Sequence, residues 1–67
     1  MEIFAKRLKE LRKEQNLSQE KLAIEIKVDK STIAKYETNK IDPSLEIILK
    51  IAKYFKVPIG YLFGEDE

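Results

Sequence analysis

Residues 18–37 read Ser-Gln-Glu-Lys-Leu-Ala-Ile-Glu-Ile-Lys-Val-Asp-Lys-Ser-Thr-Ile-Ala-Lys-Tyr-Glu. The pattern predicts two short helices joined by a tight turn. Ser18 stands where an N-cap is wanted, and Leu22, Ala23 and Ile26 recur at helical spacing as a buried set. The first helix should end near Lys27, where glycine is the expected residue. A lysine in the left-handed conformation costs on the order of 1 kcal/mol relative to glycine. Val28 should turn inward, and Asp29 is expected to cap the next helix by accepting the Ser31 or Thr32 amide hydrogen.

From Asp29 to Glu37 the helical period sorts the side chains into two faces. Thr32, Ile33 and Tyr36 share the side expected to meet the core. Lys30, Ser31, Ala34 and Lys35 share the other, which carries long cations, a short hydroxyl and a methyl but no acid. Asp29 and Glu37 fall at the helix ends or edge. Two lysines on one helix face are more often solvated surface than a binding surface, so the face alone decides nothing.

On the N-terminal side, Phe4, Leu8 and Leu11 predict an amphipathic helix over about residues 2–15, with Lys6, Arg7, Lys9, Arg12 and Lys13 largely between them. Asn16 follows at the stop and tolerates a left-handed backbone; Leu17 then points inward. On the C-terminal side, Thr38-Asn39-Lys40 breaks the helix and Ile41-Asp42-Pro43-Ser44 forms a connecting loop. Pro43 disfavours helical geometry at Asp42, and Ser44 is placed to cap a helix running to about Phe55. Its buried stripe is expected to be Leu45, Ile48, Leu49, Ala52 and Phe55. Lys56 again occupies a glycine-like stop. Val57-Pro58-Ile59 opens a last helical turn through Tyr61 and Leu62, and Gly64 releases an acidic tail, residues 65–67, expected to fray. The expected organisation is one domain, residues 1–64, plus that tail. No strand, repeat or low-complexity linker is predicted.

Sixty-seven residues support a single modest core. With no cysteine and no histidine, a disulfide framework, a thiolate nucleophile and the commonest general base and metal ligand are all excluded. There is no glycine-rich phosphate loop, and Ser18 and Ser31 lack a histidine partner. Glu10, Glu14, Glu20 and Glu25 read as solvated charges. No apolar run has membrane-spanning length and no signal-peptide pattern opens the chain. These features predict a cytoplasmic protein that is not an enzyme, with no cofactor, metal or small-molecule ligand. Net charge is only +1, but it divides into +3 over residues 1–40 and −2 over residues 41–67. A basic half suits a polyanion; an ordinary solvated surface fits equally well at this magnitude.

The run Leu17–Ala23, followed by Val28–Glu37, resembles the helix-turn-helix of the Cro/CI (Xre-type) repressor family. The likeness continues through Pro43-Ser44-Leu45-Glu46 and Tyr61-Leu62-Phe63-Gly64, so it covers about residues 4–64. It implies an all-α, compact five-helix lambda-repressor-like fold, with helices two and three as the DNA-binding unit. By that resemblance Lys30, Ser31 and Lys35 read base edges or adjacent phosphates, Gln19 grips a phosphate and Lys40 lies beside the backbone. Ala34, on the same face, is expected at base edges as well, and Lys27 and Thr32 are further expected phosphate contacts. Arg12 and Glu37 match an ion pair tying helix one to the recognition helix. The sequence departs from the pattern at four helix-ending positions where glycine is frequent: Asn16, Lys27, Asn39 and Lys56.

The expectation is therefore a sequence-specific double-stranded DNA-binding regulator, of the repressor type, acting as a homodimer on a palindromic operator. Tyr54, Ile59, Tyr61 and Phe63 are too many to bury in so small a domain, which makes them candidates for a dimer patch. The rival reading is a protein–protein interaction module of the same fold, such as an antitoxin, antirepressor or bridging factor.

Overall fold

The computed structural model describes residues 1–65; Asp66 and Glu67, and with them most of the acidic tail, lie outside the described residues. Five helices follow one another: α1 Glu2–Glu14, α2 Gln19–Ile26, α3 Lys30–Glu37, α4 Leu45–Phe55 and α5 Ile59–Leu62. Their boundaries agree with the periodicity to within a residue or two. The radius of gyration, 10.6 Å, is close to the roughly 11 Å expected of a close-packed chain of this length.

Every helix gives the core at least one large side chain that is essentially inaccessible: Phe4 and Leu8 from α1, Leu22 from α2, Ile33 from α3, Ile51 from α4 and Leu62 from α5. Phe4 meets Tyr36 edge to face, with centroids 5.8 Å apart, so the aromatic pair joins α1 to α3. Arg7 joins α1 to α5. Its guanidinium carbon lies 4.2 Å from the centroid of the Tyr61 ring, and Nη1 donates to the Tyr61 carbonyl at 3.1 Å.

The helix stops share one device. Asn16, Lys27, Asn39 and Lys56 all have positive φ, between 57° and 62°. After each, the next amide donates back to the carbonyl five residues earlier: Leu17 to Arg12, Val28 to Ala23, Lys40 to Lys35 and Val57 to Ala52, at 2.8–3.0 Å. This is the Schellman closure, which satisfies helix-end carbonyls that would otherwise lack partners. Lysine at two of these positions does not alter the turn; it adopts the left-handed geometry that glycine would. At the other ends, the Ser18 hydroxyl accepts from the Lys21 amide (3.0 Å) and the Ser44 hydroxyl from the Ile47 amide (3.2 Å).

Two expectations fail. Asp29 occupies the N-cap position of α3, with extended backbone, but its side chain accepts no capping hydrogen bond; only its carbonyl enters the helix, accepting from Thr32 and Ile33. In α4 the buried set is Ile48, Ile51, Ala52 and Phe55, whereas Leu45 and Leu49 are 63% and 52% exposed. Both leucines sit on the outer flank of the helix, one turn apart, because Ile51 takes the inward direction that the expected stripe gave to them.

Candidate nucleic-acid interface

The turn between α2 and α3 is three residues long, Lys27–Asp29, and it fixes the angle at which α3 is presented. Lys27 supplies the left-handed backbone (φ 62°, ψ 51°), and Val28 packs partly buried against the core. From that turn α3 runs with Ile33 and Tyr36 pressed inward, while Lys30, Ser31 and Lys35 are exposed and Ala34 is half-buried between them. The four predicted base-contact positions thus share one outward face. The first turn of α3 has no side-chain cap from Asp29.

The far end of α3 is held by a buried charged cluster. Arg12 Nε donates to Glu37 Oε2 at 2.6 Å and Nη2 to Oε1 at 2.9 Å, while Nη1 donates to the Leu17 carbonyl at 2.7 Å. The two side chains are 10% and 2% exposed. Gln19 Nε2 also donates to Glu37 Oε1, at 3.2 Å. The hydrogen bonds from Arg12 to Glu37 raise the arginine's pKa above its ordinary value, with burial opposing and the carboxylate charge assisting. One guanidinium therefore links α1, the loop before α2 and the end of α3, and Gln19 adds the first residue of α2. A planar, bidentate donor suits this position in a way that lysine would not.

Of the positions predicted at phosphates, Lys27 and Lys40 are exposed, and Gln19 and Thr32 are half-buried. Gln19 is oriented by Glu37, a bond across 18 positions that no local pattern in the sequence signals. Lys40 lies in a loop held from two sides: the Met1 amino group donates to Asn39 Oδ1 (2.9 Å) and Asp42 Oδ1 (3.1 Å), and Pro43 is buried. The four dimer candidates separate. Tyr54 and Tyr61 are half-buried and pack against their own core, while Ile59 and Phe63 are exposed at 36% and 44%. Sequence reasoning missed Leu45 and Leu49 as surface residues. No group of acidic residues that could hold a metal ion occurs among the described residues, and no helix there is long and apolar enough to cross a membrane.

Five helices with a rigidly braced α2–turn–α3 unit define a helix-turn-helix domain of the DNA-binding kind found in transcriptional regulators. The Helix-turn-helix family model matches residues 8–62, and the chain belongs to that family, in its Cro/CI-type branch. It is 38% identical over 65 residues to the cryptic phage CTXphi transcriptional repressor RstR of Vibrio cholerae, a match covering 97% of this chain and 59% of the relative. It is 43% identical over 63 residues to the uncharacterized HTH-type transcriptional regulator MJ0272 of Methanocaldococcus jannaschii, covering 91% and 96%. Among solved structures, the restriction-modification controller protein C.AhdI of Aeromonas hydrophila superposes with a TM-score of 0.84 at 37% identity, over 92% of this chain and 94% of that one. The chain thus spans about three-fifths of RstR and nearly all of the other two.

Proposed function

We propose that this protein is a cytoplasmic transcriptional regulator, of the repressor type, that binds a palindromic double-stranded operator as a homodimer with α3 in the major groove. The observation that carries the reading is the acid-free outward face of α3, Lys30, Ser31, Ala34 and Lys35, on a helix braced by a buried ion pair. Lys30 and Lys35 suit guanine acceptors, and Ala34 is small enough to approach a thymine methyl. Lys27, Lys40, Gln19 and Thr32 supply contacts to the backbone, which fix register without reading sequence. Two copies would place their α3 helices about 34 Å apart, one turn of B-DNA.

The experiment is selection of bound duplexes from random DNA, followed by titration of the selected site with the protein and with a Lys30→Ala/Lys35→Ala variant. The expected result is a two-fold symmetric site, lost binding in the variant with unchanged circular dichroism, and affinity falling steeply with salt as counterions are released. A variant that binds as well as the wild type, or a flat salt response, defeats the reading.

A further inference from the structure

A cleft of about 390 Å3 opens between the C-terminal end of α2 and the second half of α4, lined by Glu25, Ile26, Lys27, Lys50, Lys53 and Tyr54. Ile26 is buried, and the half-buried Tyr54 ring packs edge to face on Phe55, with centroids 5.0 Å apart. The Tyr54 ring, backed by Ile26, makes an apolar floor. Three lysines stand around it, and none has an ion-pair partner among the described residues. The one acid in the lining, Glu25, is already paired with Lys21 at 3.1 Å. The cleft therefore combines an apolar floor with an uncompensated cationic rim, at a place the DNA reading does not use apart from Lys27.

We propose that this cleft is a docking site for an acidic peptide segment of a regulatory partner protein, carrying one aliphatic or aromatic anchor between carboxylates. Charge complementarity selects the partner. Carboxylates spaced along a peptide can meet Lys27, Lys50 and Lys53 together, and their attraction steers the encounter. The anchor residue covers the half-buried Tyr54 ring and the lysine stems beside it, removing apolar surface from water. A phosphate backbone would satisfy the rim but brings nothing apolar to the floor. The lysine stems extend the apolar wall while their ammonium groups stay at the edge.

The proposal is tested on the free protein, independently of any operator, by following backbone amide NMR shifts during three titrations. The probes are an acidic dodecapeptide containing one leucine and one phenylalanine among aspartates and glutamates, the same peptide with both apolar residues replaced by serine, and a random-sequence DNA duplex. The first peptide is expected to move the amides of Lys27, Lys50, Lys53 and Tyr54 and to bind more tightly than the serine peptide. Lys50→Glu with Lys53→Glu, both exposed positions, is expected to weaken it by about tenfold or more, whereas Lys50→Arg with Lys53→Arg retains it. The proposal is overturned if the first peptide moves no cleft amide at millimolar concentration, if the two peptides bind equally, or if charge reversal has no effect. It is also overturned if only the DNA duplex perturbs the cleft, which would assign the lysines to phosphates.

Discussion

The Arg12 guanidinium grips both carboxylate oxygens of Glu37 across 25 positions of sequence, at 2.6 and 2.9 Å. With both side chains nearly inaccessible, removing one partner strands the other charge away from water. Glu37→Ala should cost roughly 3–5 kcal/mol, a large share of the roughly 3–10 kcal/mol available to a domain of this size. Replacing both partners with apolar residues, Arg12→Met with Glu37→Leu, should cost less than either single truncation, because no unpaired charge remains. Urea unfolding of the three variants checks this; an unchanged midpoint for Glu37→Ala would mean the pair contributes nothing.

Tyr36 gives the fold a dependence on alkaline pH. Burial raises its pKa above the ordinary value of 10.0, so the unfolded chain releases this proton at lower pH than the native protein does. The contribution of Tyr36 is then complete below about pH 10 and is lost as pH rises through the raised native value. Tyr36→Phe keeps the ring against Phe4 and removes the ionisable group. Denaturation midpoints measured from pH 7 to 11 should fall less steeply above pH 10 for the variant than for the wild type, whose other tyrosines and lysines are common to both. Parallel curves would show that Tyr36 ionisation is not linked to folding.

How far the sequence could be read depended on what stood opposite each apolar stripe. In α1 and α3, polar side chains mark the outer face, so Phe4, Leu8, Leu11, Ile33 and Tyr36 could be placed inward, where they lie. In α4, Glu46, Lys50 and Lys53 mark an outer face just as clearly, and Ile48, Ile51, Ala52 and Phe55 lie opposite it. Leu49 stands beside that polar face and Ile51 away from it, so the helical period separates the two; the expected stripe went astray by following apolar spacing without centring it opposite the charges. The outward face of α3 was legible because its cations occur without acids. The Gln19–Glu37 bond and the uncapped Asp29 were not, since both depend on side-chain geometry rather than on spacing.

Lys27 and Lys56 hold nearly the same backbone geometry, with φ of 62° and 58°, and both close their helices with bonds to Ala23 and Ala52. Relief of the left-handed penalty by glycine should outweigh glycine's greater unfolded-state entropy. Lys27→Gly and Lys56→Gly are each expected to stabilise by a few tenths to about 1 kcal/mol, raising Tm by up to roughly 4–8 °C. Lys27→Ala, which keeps the Cβ, should bring no such gain. Thermal melts of the three variants separate backbone relief from loss of charge: equal shifts for Ala and Gly at position 27 would show that charge, not φ, governs the turn.

The exposed apolar residues of the α4–α5 half are the material for the proposed two-fold pairing. Leu45 and Leu49 form a ridge on the outer flank of α4, and Ile59 and Phe63 are exposed around α5, while Tyr54 and Tyr61 are partly engaged by their own core. Burying such residues against a second copy removes apolar surface at about 25 cal/mol per Å2, and charged residues are disfavoured at the centre of such a patch. Leu49→Glu and Phe63→Glu should each leave the helical content unchanged, since neither side chain fills the core. Each is expected to raise the dimer dissociation constant by about tenfold or more in sedimentation equilibrium. Operator binding should weaken in parallel, because a half-site held by one copy forfeits the linkage between the two recognition helices. If both variants sediment as the wild type does, the proposed pairing does not use this face. If only Leu49→Glu dissociates it, the α4 ridge carries the interface and the α5 residues are its rim.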